Sequence, residues 1–151
     1  MSKARLLVVG SGGHGRSVAE AAEISCHFNV VGFLDDSLPV GDTALGIPVL
    51  GSFASLSKHR AAADQVIVAI GNNAVRENLM HQLVAADWGF ATVVHPRAIV
   101  APSALLGTGS AVMAGAIVGT EARLGVVNCE LRRRAGSSCY RWRLWSPKRE
   151  R

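Results

Sequence analysis

Cysteine, aromatic residues and long apolar runs are all scarce in this chain of 151 residues. Its three cysteines form neither a CxxC pair nor an even set, so the sequence indicates no disulfide framework. No cluster of residues has metal-ligand spacing. No apolar run approaches the roughly 18 residues that a membrane span needs, and the amino terminus does not resemble a signal peptide. The sequence therefore predicts a cytoplasmic protein with neither a metal nor a membrane partner.

The net charge of +5 is unevenly distributed along the chain. Residues 1–128 hold eight basic and nine acidic residues, whereas residues 129–151 hold eight basic and two acidic residues. Two of the three tryptophans and the single tyrosine also lie in this last segment. A near-neutral body is thus followed by a segment of different composition, which we call the basic tail (residues 129–151).

Short apolar runs alternate with helical patterns over residues 1–96, and this pattern predicts an α/β domain with a parallel, Rossmann-like sheet. Strands are predicted at "RLLVV", "NVVGFLDD", "DQVIVAIG" and "FATVVHP". "GIPVLGSF" indicates a loop with a short strand or bend, followed by a small helix. The last predicted helix has its apolar face formed by five residues: Val75, Leu79, Met80, Leu83 and Val84.

A six-residue repeat begins after Pro96. Small residues recur at Ala98, Ala104, Ser110, Ala116 and Ala122. Aliphatic residues recur two positions later, at Val100, Leu106, Val112, Val118 and Leu124. A six-residue period is typical of a left-handed parallel β-helix, in which each hexad forms one flat face and the aliphatic side chain points inward. Residues 97–128 are therefore predicted to begin such a β-helix, and the basic tail lacks this register.

The glycines of "GSGGHG" follow a predicted strand and precede a predicted helix. Backbone N–H groups at such a turn can approach phosphate oxygens, and the helix amino end favours an anion. The spacing Gly10-x-Gly12-x-x-Gly15 also fits an NAD site, or a tight turn that only requires positive φ. His14 lies within this loop, where an imidazole could contact a phosphate or a sugar, or simply be solvated.

Polar residues follow two further predicted strands at the same edge of the sheet. Asp35 and Asp36 could accept hydrogen bonds from a ribose or a base, or could be ordinary turn carboxylates. Gly71 and Asn72 follow "VAI", and Asn72 could line a pocket or only cap a helix. His95 precedes Pro96, and we interpret it as structural.

Five stretches together resemble the sugar acetyltransferases of the sialic acid O-acetyltransferase and UDP-4-amino-sugar N-acetyltransferase family: "VVGSGGHGRSVAE", "VVGFLDD", "GIPVLG", "VAIGNNAVREN" and "VVHPRAIVAPSALLGTGSAVMAGAIVGTEARLG". The resemblance covers about residues 4–128. It implies a Rossmann-like domain that binds a nucleotide sugar, usually UDP-linked, and a trimeric β-helix that binds acetyl-CoA. The implied sugar-nucleotide contacts are Gly12, Gly13, His14, Asp35, Asp36, Gly71 and Asn72.

The chain departs from this family after the hexads. The resemblance implies a catalytic histidine on a later coil, as the general base of acetyl transfer, but no histidine follows His95. No catalytic residue is therefore assigned, and trimer formation is in doubt. A frameshift near residue 128 would explain the basic tail, as would a genuinely short protein or a tail with its own role. The exposed end of a short β-helix predicts poor solubility.

Three other functions compete with acetyl transfer. A non-catalytic module would keep the nucleotide sugar without transferring an acetyl group. An NAD-dependent oxidoreductase would use the glycine loop and Asp35 but would leave the hexads unexplained. Nucleic-acid binding would use the arginines and aromatic residues of the basic tail, whose composition fits an unselected segment better, so no nucleic-acid partner is expected.

Overall fold

A computed structural model describes residues 2–124 and the backbone of one further strand, Glu130–Leu131. The rest of the basic tail, with the predicted change of composition at residue 129, lies outside the described residues. Within the described part of the chain no helix is long and apolar enough to cross a membrane.

Five strands form the central sheet: β1 (Ala4–Val9), β2 (Phe28–Leu34), β3 (Thr43–Ala44), β4 (Ile47–Gly51) and β5 (Gln65–Val68). Their order is β3-β4-β2-β1-β5. β1 pairs in parallel with both β2 and β5, β2 pairs in parallel with β4, and only β3 is antiparallel to its neighbour. The predicted α/β class with a mainly parallel sheet is confirmed.

Two helices cover opposite faces of this sheet because successive side chains of a strand point to opposite sides. Leu6 and Val8 of β1 pack with Val18 of α1 (Gly13–Ile24). Leu7 and Val9 pack with α2 (Asn73–Ala85) on the other face. A 3₁₀ helix over Phe53–His59 lies on the α2 side. All four β1 side chains are almost fully buried, so the sheet lies at the centre of a three-layer core.

The apolar face predicted for α2 is wrong at its two margins. Leu79, Met80 and Leu83 are buried, but Val75 is 40% exposed and Val84 is 62% exposed. At about 100° per residue, these two valines lie roughly 90° away from the middle of the buried face. The helix therefore packs along a narrower stripe than its sequence suggests.

The narrow stripe predicts a large difference between two adjacent substitutions. Leu83→Ala removes a fully buried side chain and is expected to lower the free energy of unfolding by about 3 kcal/mol. Val84→Ala, at an exposed position, is expected to change it by less than about 0.5 kcal/mol. Urea unfolding of both variants, followed by circular dichroism, checks this. Equal losses would mean that Val84 is buried.

Residues 93–124 wind into a coil of two-residue strands. They are β6 (Val93–Val94), β7 (Ile99–Val100), β8 (Leu105–Leu106), β9 (Ala111–Val112), β10 (Ile117–Val118) and β11 (Arg123–Leu124). Each pairs in parallel with the strand 18 residues away, as in Val93↔Ala111, Ile99↔Ile117 and Leu105↔Arg123. β12 (Glu130–Leu131) pairs with β9 at a spacing of 19 residues, Ala111↔Glu130.

The predicted hexad positions share the interior of this coil. Val112, Ala116, Val118 and Leu124 are buried together, and the remaining small and aliphatic hexad positions from Ala98 to Ala122, apart from Ser110, pack against them. The residues that precede the aliphatic positions point outward, so Ile99, Leu105 and Ile117 are each more than half exposed. The inward direction predicted for the aliphatic residues is confirmed.

The strand predicted at "FATVVHP" joins the coil rather than the sheet. Its residues Val93 and Val94 pair with β9, and only Phe90 forms an isolated bridge to Val66 of β5. The prediction that this strand completes the sheet is therefore wrong. A short apolar run shows that a strand exists but does not identify the strand that will pair with it.

Candidate functional site

The strand order reverses between β1 and β5, because β2 and β4 lie on one side of β1 and β5 lies on the other. Ligands bind at such a reversal in open α/β sheets, outside the carboxyl ends of the strands. The Gly10 N–H donates to Leu34 O at 2.8 Å, and the Ala69 N–H donates to Val9 O at 2.8 Å. The carboxyl ends of β2, β1 and β5 therefore lie side by side, and we call this region the switch edge.

The glycines at the switch edge have two different roles. Gly10 has φ +107°, and a Cβ there would lie 2.7 Å from Ala69 O. A Cβ at Gly15 would lie 1.8 Å from Gly10 O, so these two glycines are required by the backbone itself. By contrast, a Cβ at Gly12 or Gly13 would meet no atom within 4 Å.

The fold alone does not account for glycine at positions 12 and 13. Gly12 has φ −69°, which any residue can adopt. The tight-turn explanation thus holds for Gly10 but not for Gly12. What glycine provides at Gly12 and Gly13 is open space next to the backbone N–H groups at the start of α1, where a phosphate oxygen could approach.

Asp35 braces the glycine loop against the end of β2. One carboxylate oxygen accepts from the Ser11 N–H at 2.8 Å and the Ser11 hydroxyl at 2.6 Å. The other oxygen accepts from the Ser37 N–H at 2.7 Å and from the Ser37 hydroxyl. A carboxylate has about four lone-pair positions, so these four donors fill it. In this geometry Asp35 positions the loop, and its contact with a ligand stays a prediction.

The same contacts decide the ionisation of Asp35. Burial raises the pKa of this carboxyl group, but the hydrogen bonds from Ser11 and Ser37 together outweigh burial and lower the pKa from 3.8 to about 2. Because hydrogen bonds to the charged form favour that form, Asp35 is a carboxylate at neutral pH.

Asp36 is better placed than Asp35 to contact a ligand. Its side chain is exposed, and its Oδ1 atom accepts from the Phe53 N–H at 2.8 Å at the start of the 3₁₀ helix. The second carboxylate oxygen faces no such donor and can accept from a ribose hydroxyl or a base N–H. The structure therefore distinguishes two acids that the sequence treats alike.

The remaining predicted site residues also lie at the switch edge. His14 is half-buried in the first turn of α1. Gly71 is exposed, and a Cβ there would meet nothing within 4 Å. Asn72 caps α2, because its side-chain oxygen accepts from the Ala74 N–H at 3.0 Å and the Val75 N–H at 3.1 Å. Capping uses only this oxygen, so the amide NH₂ of Asn72 stays available to a ligand.

His95 lies away from the switch edge, in a cleft between α1 and the coil. The cleft has a volume of about 320 Å³ and is lined by Ser17, Glu20, Ala21, Ile24, His95, Met113 and Ala114. The Nδ1 atom of His95 accepts from the Arg97 N–H at 3.0 Å, so a neutral His95 carries its proton on Nε2. This contact supports a structural role. Within residues 2–124, no group of three or more histidine, cysteine or acidic residues could hold a metal ion.

Sequence patterns missed four residues of the switch edge. Ser11 and Ser37 hold Asp35, and Arg16 and Arg76 fold back over the loops that start the two helices. The signal for the arginines was present, since each lies four residues after a helix N-cap. Serine in a glycine-rich turn carries no comparable signal.

Comparison with known proteins connects this geometry to a family. The model of the PglD N-terminal domain matches residues 5–83, which hold every predicted site residue. A curated relative, UDP-N-acetylbacillosamine N-acetyltransferase of Bacillus subtilis (strain 168), is 34% identical over 108 residues. The match covers 71% of this chain and 50% of the relative, so the chain spans about half the length of that enzyme.

Two solved structures share the fold. One is the acetyltransferase domain of PglB from Neisseria gonorrhoeae FA1090 in complex with acetyl coenzyme A (TM-score 0.68, 33% identity, 83% of this chain and 66% of that chain). The other is a mutant of perosamine N-acetyltransferase from Caulobacter crescentus in complex with CoA and GDP-perosamine (TM-score 0.75, 30% identity, 83% and 59%). By the match over residues 5–83, the chain belongs to the family of proteins with a PglD N-terminal domain.

Proposed function

We propose that this chain binds a nucleotide-linked amino sugar, with UDP as the nucleotide, at the switch edge. We also propose that it acts in acetyl-CoA-dependent acetylation of that sugar, in the cytoplasm. The observation that carries the proposal is the open space over Gly12 and Gly13, which the fold itself does not require. Two relatives that are named for the sugars they acetylate, UDP-N-acetylbacillosamine and perosamine, support the substrate class.

Each predicted residue has a place in this arrangement. The N–H groups at Gly12 and Gly13 would donate to the diphosphate, assisted by the positive end of α1. The free oxygen of Asp36 would accept from the uridine end. His14, Gly71 and Asn72 would line the side of the pocket nearest β5. Asp35 would act mainly by holding Ser11, and through it the loop.

We further propose that residues 1–96 form the Rossmann-like domain and that the coil is the start of a left-handed β-helix from residue 97. In this arrangement the coil would carry acetyl-CoA. The described coil offers little to test that fit, since its basic side chains are Arg97 and Arg123, both exposed. No transfer step is therefore assigned to residues 93–124. The outward apolar residues Ile99, Leu105 and Ile117 would suit contacts between copies in a homotrimer.

A second candidate function is nucleotide-sugar binding without acetyl transfer. It is favoured by one observation: no histidine follows His95 in the sequence, and His95 is occupied by the Arg97 N–H. Measuring whether this chain consumes acetyl-CoA with a UDP-amino sugar separates the two candidates. Turnover above that of a chain-free control would exclude the binding-only role.

A thermal-shift comparison of UDP, GDP and NADH tests the ligand class. A ligand that binds only the folded state raises the melting temperature, by an amount equivalent to about 2.7 kcal/mol at a concentration of 100 times Kd. We expect UDP to raise the melting temperature more than GDP does, and NADH to leave it unchanged. A larger shift with NADH than with UDP would overturn the proposal and support an oxidoreductase.

A further inference from the structure

Arg16 and Arg76 occupy equivalent positions on the two helices that begin at the switch edge. Each is the fourth residue after its N-cap, and its N–H makes a hydrogen bond of 3.0 Å to the N-cap carbonyl, at Gly12 and Asn72 respectively. Because α1 follows β1 and α2 follows β5, the two arginines flank the point where the strand order reverses.

Both guanidinium groups turn back toward the switch edge instead of extending into solvent. The Nε–H of Arg16 donates to Ser11 O at 3.0 Å. The Nη1–H of Arg76 donates to Ile70 O at 3.2 Å, and its Nη2–H donates to Asn73 Oδ1 at 2.6 Å. A guanidinium has five N–H donors, so each arginine is held in place by one or two of them and keeps others available.

These charges are uncompensated where they lie. Neither helix has an acidic residue in its first turn, and within residues 2–124 neither arginine has an acidic partner. The nearby carboxylates of Asp35 and Asp36 accept from Ser11, Ser37 and the Phe53 N–H. A cation in the first turn of a helix is unfavourable next to the positive end of the helix dipole. An anion bound between the two helices would reverse this effect.

We propose that Arg16 and Arg76 together select a nucleoside diphosphate over the corresponding monophosphate. The glycine loop supplies neutral N–H donors at one position, whereas two fixed guanidinium groups on both sides of the reversal match the extended charge of two linked phosphates. Arginine suits this role because its planar fork bonds two phosphate oxygens at once. This inference rests on the proposed function, since it specifies how the nucleotide sugar is held.

Isothermal titration of the full chain with UDP and with UMP tests the selection, with GDP and GMP as the alternative pair if they bind more tightly. Arg76→Gln is expected to weaken UDP binding at least about tenfold, because a hydrogen bond to a charged group contributes about that factor or more. UMP binding is expected to change by less than about threefold. Arg16→Lys, which keeps the charge but loses the fork, is expected to fall between wild type and Arg16→Gln.

Arg97→Gln is the matched control, because it removes an exposed arginine from the coil. It is expected to bind UDP as tightly as wild type does. Equal losses of UDP and UMP affinity in Arg76→Gln would overturn the inference and show that the arginine only supports the loop. If the wild-type chain binds neither UDP nor GDP, the proposed function itself fails. If the wild type binds and the variants bind equally well, only the role of the arginines fails.

Discussion

Gly15→Ala is expected to lower the free energy of unfolding by at least about 3 kcal/mol. The added Cβ would lie 1.8 Å from Gly10 O and 2.6 Å from the Gly10 carbonyl carbon. Both are backbone atoms of the turn that joins β1 to α1, so no flexible side chain can move aside. Either the helix shifts away from the strand or the turn opens. Equilibrium unfolding in urea, followed by circular dichroism, measures the loss.

Gly13→Ala is the matched control, two residues earlier in the same loop. Its Cβ would meet nothing within 4 Å, and position 13 is the first residue of α1. The free energy of unfolding is therefore expected to stay equal or to rise by up to about 1 kcal/mol. Nucleotide binding is expected to fall, because the methyl group fills the space proposed for the phosphate.

The pair separates the two roles of the loop glycines. A Gly13→Ala protein that is as stable as wild type and still binds UDP normally would show that the open space is not the binding site. A Gly15→Ala protein with wild-type stability would show that the contact between α1 and the β1 turn is looser than described.

Asp35→Asn is expected to be the second severe substitution, with a loss of about 3 kcal/mol. Four donors surround the carboxylate: the N–H groups and hydroxyls of Ser11 and Ser37. An asparagine side chain presents an NH₂ group to one of these serines. The serine N–H is then left without an acceptor in a buried site, which costs about 1–3 kcal/mol, and the charge-assisted bonds are also lost. Urea unfolding at pH 7 measures the effect.

The loss should depend on pH in a defined direction. The pKa of Asp35 is lowered in the folded state, from 3.8 to about 2. A lowered pKa stabilises the folded state above the unfolded value, and that stabilisation is lost as the pH falls from about 4 toward about 2. The shift corresponds to about 2 kcal/mol. The difference between wild type and Asp35→Asn is thus expected to narrow by about this amount between pH 6 and pH 2.

Asp36→Asn serves as the control for Asp35→Asn. Asp36 is exposed, and the contact of its side chain is with the Phe53 N–H, which an asparagine oxygen can also accept. Its loss of stability is expected to stay below about 1 kcal/mol at every pH. A difference between wild type and Asp35→Asn that stays constant from pH 6 to pH 2 would contradict the assignment of the low pKa to Asp35.

The sequence predicted the architecture where a repeating pattern defines a face. The hexads placed Val112 and Val118 inside the coil, and apolar runs located β1, β2 and β5. The same reasoning failed for Val75 and Val84, because periodicity identifies the direction of a buried stripe better than its width. It also failed for Val93 and Val94, because the sheet and the coil both accept short apolar strands.

At the site, the sequence located the loops but not the division of work between them. Asp35 and Asp36 are adjacent and chemically identical, and only the positions of Ser11, Ser37 and the Phe53 N–H distinguish them. Those positions arise from contacts between residues up to 24 apart in the chain. Side-chain hydrogen bonds of this kind have no period, so no local pattern could have revealed them.

The 18-residue spacing of the paired strands makes the coil a ruler. Stacked strands are separated by about 4.8 Å, so each complete turn raises a side chain by that distance along the axis. Duplication of 18 residues would lift a group one step and leave it on the same flat side. Insertion of six residues would move the group to the next side instead. Relatives that differ in the number of turns can therefore change the distance of a group from the sheet in fixed increments while keeping its direction.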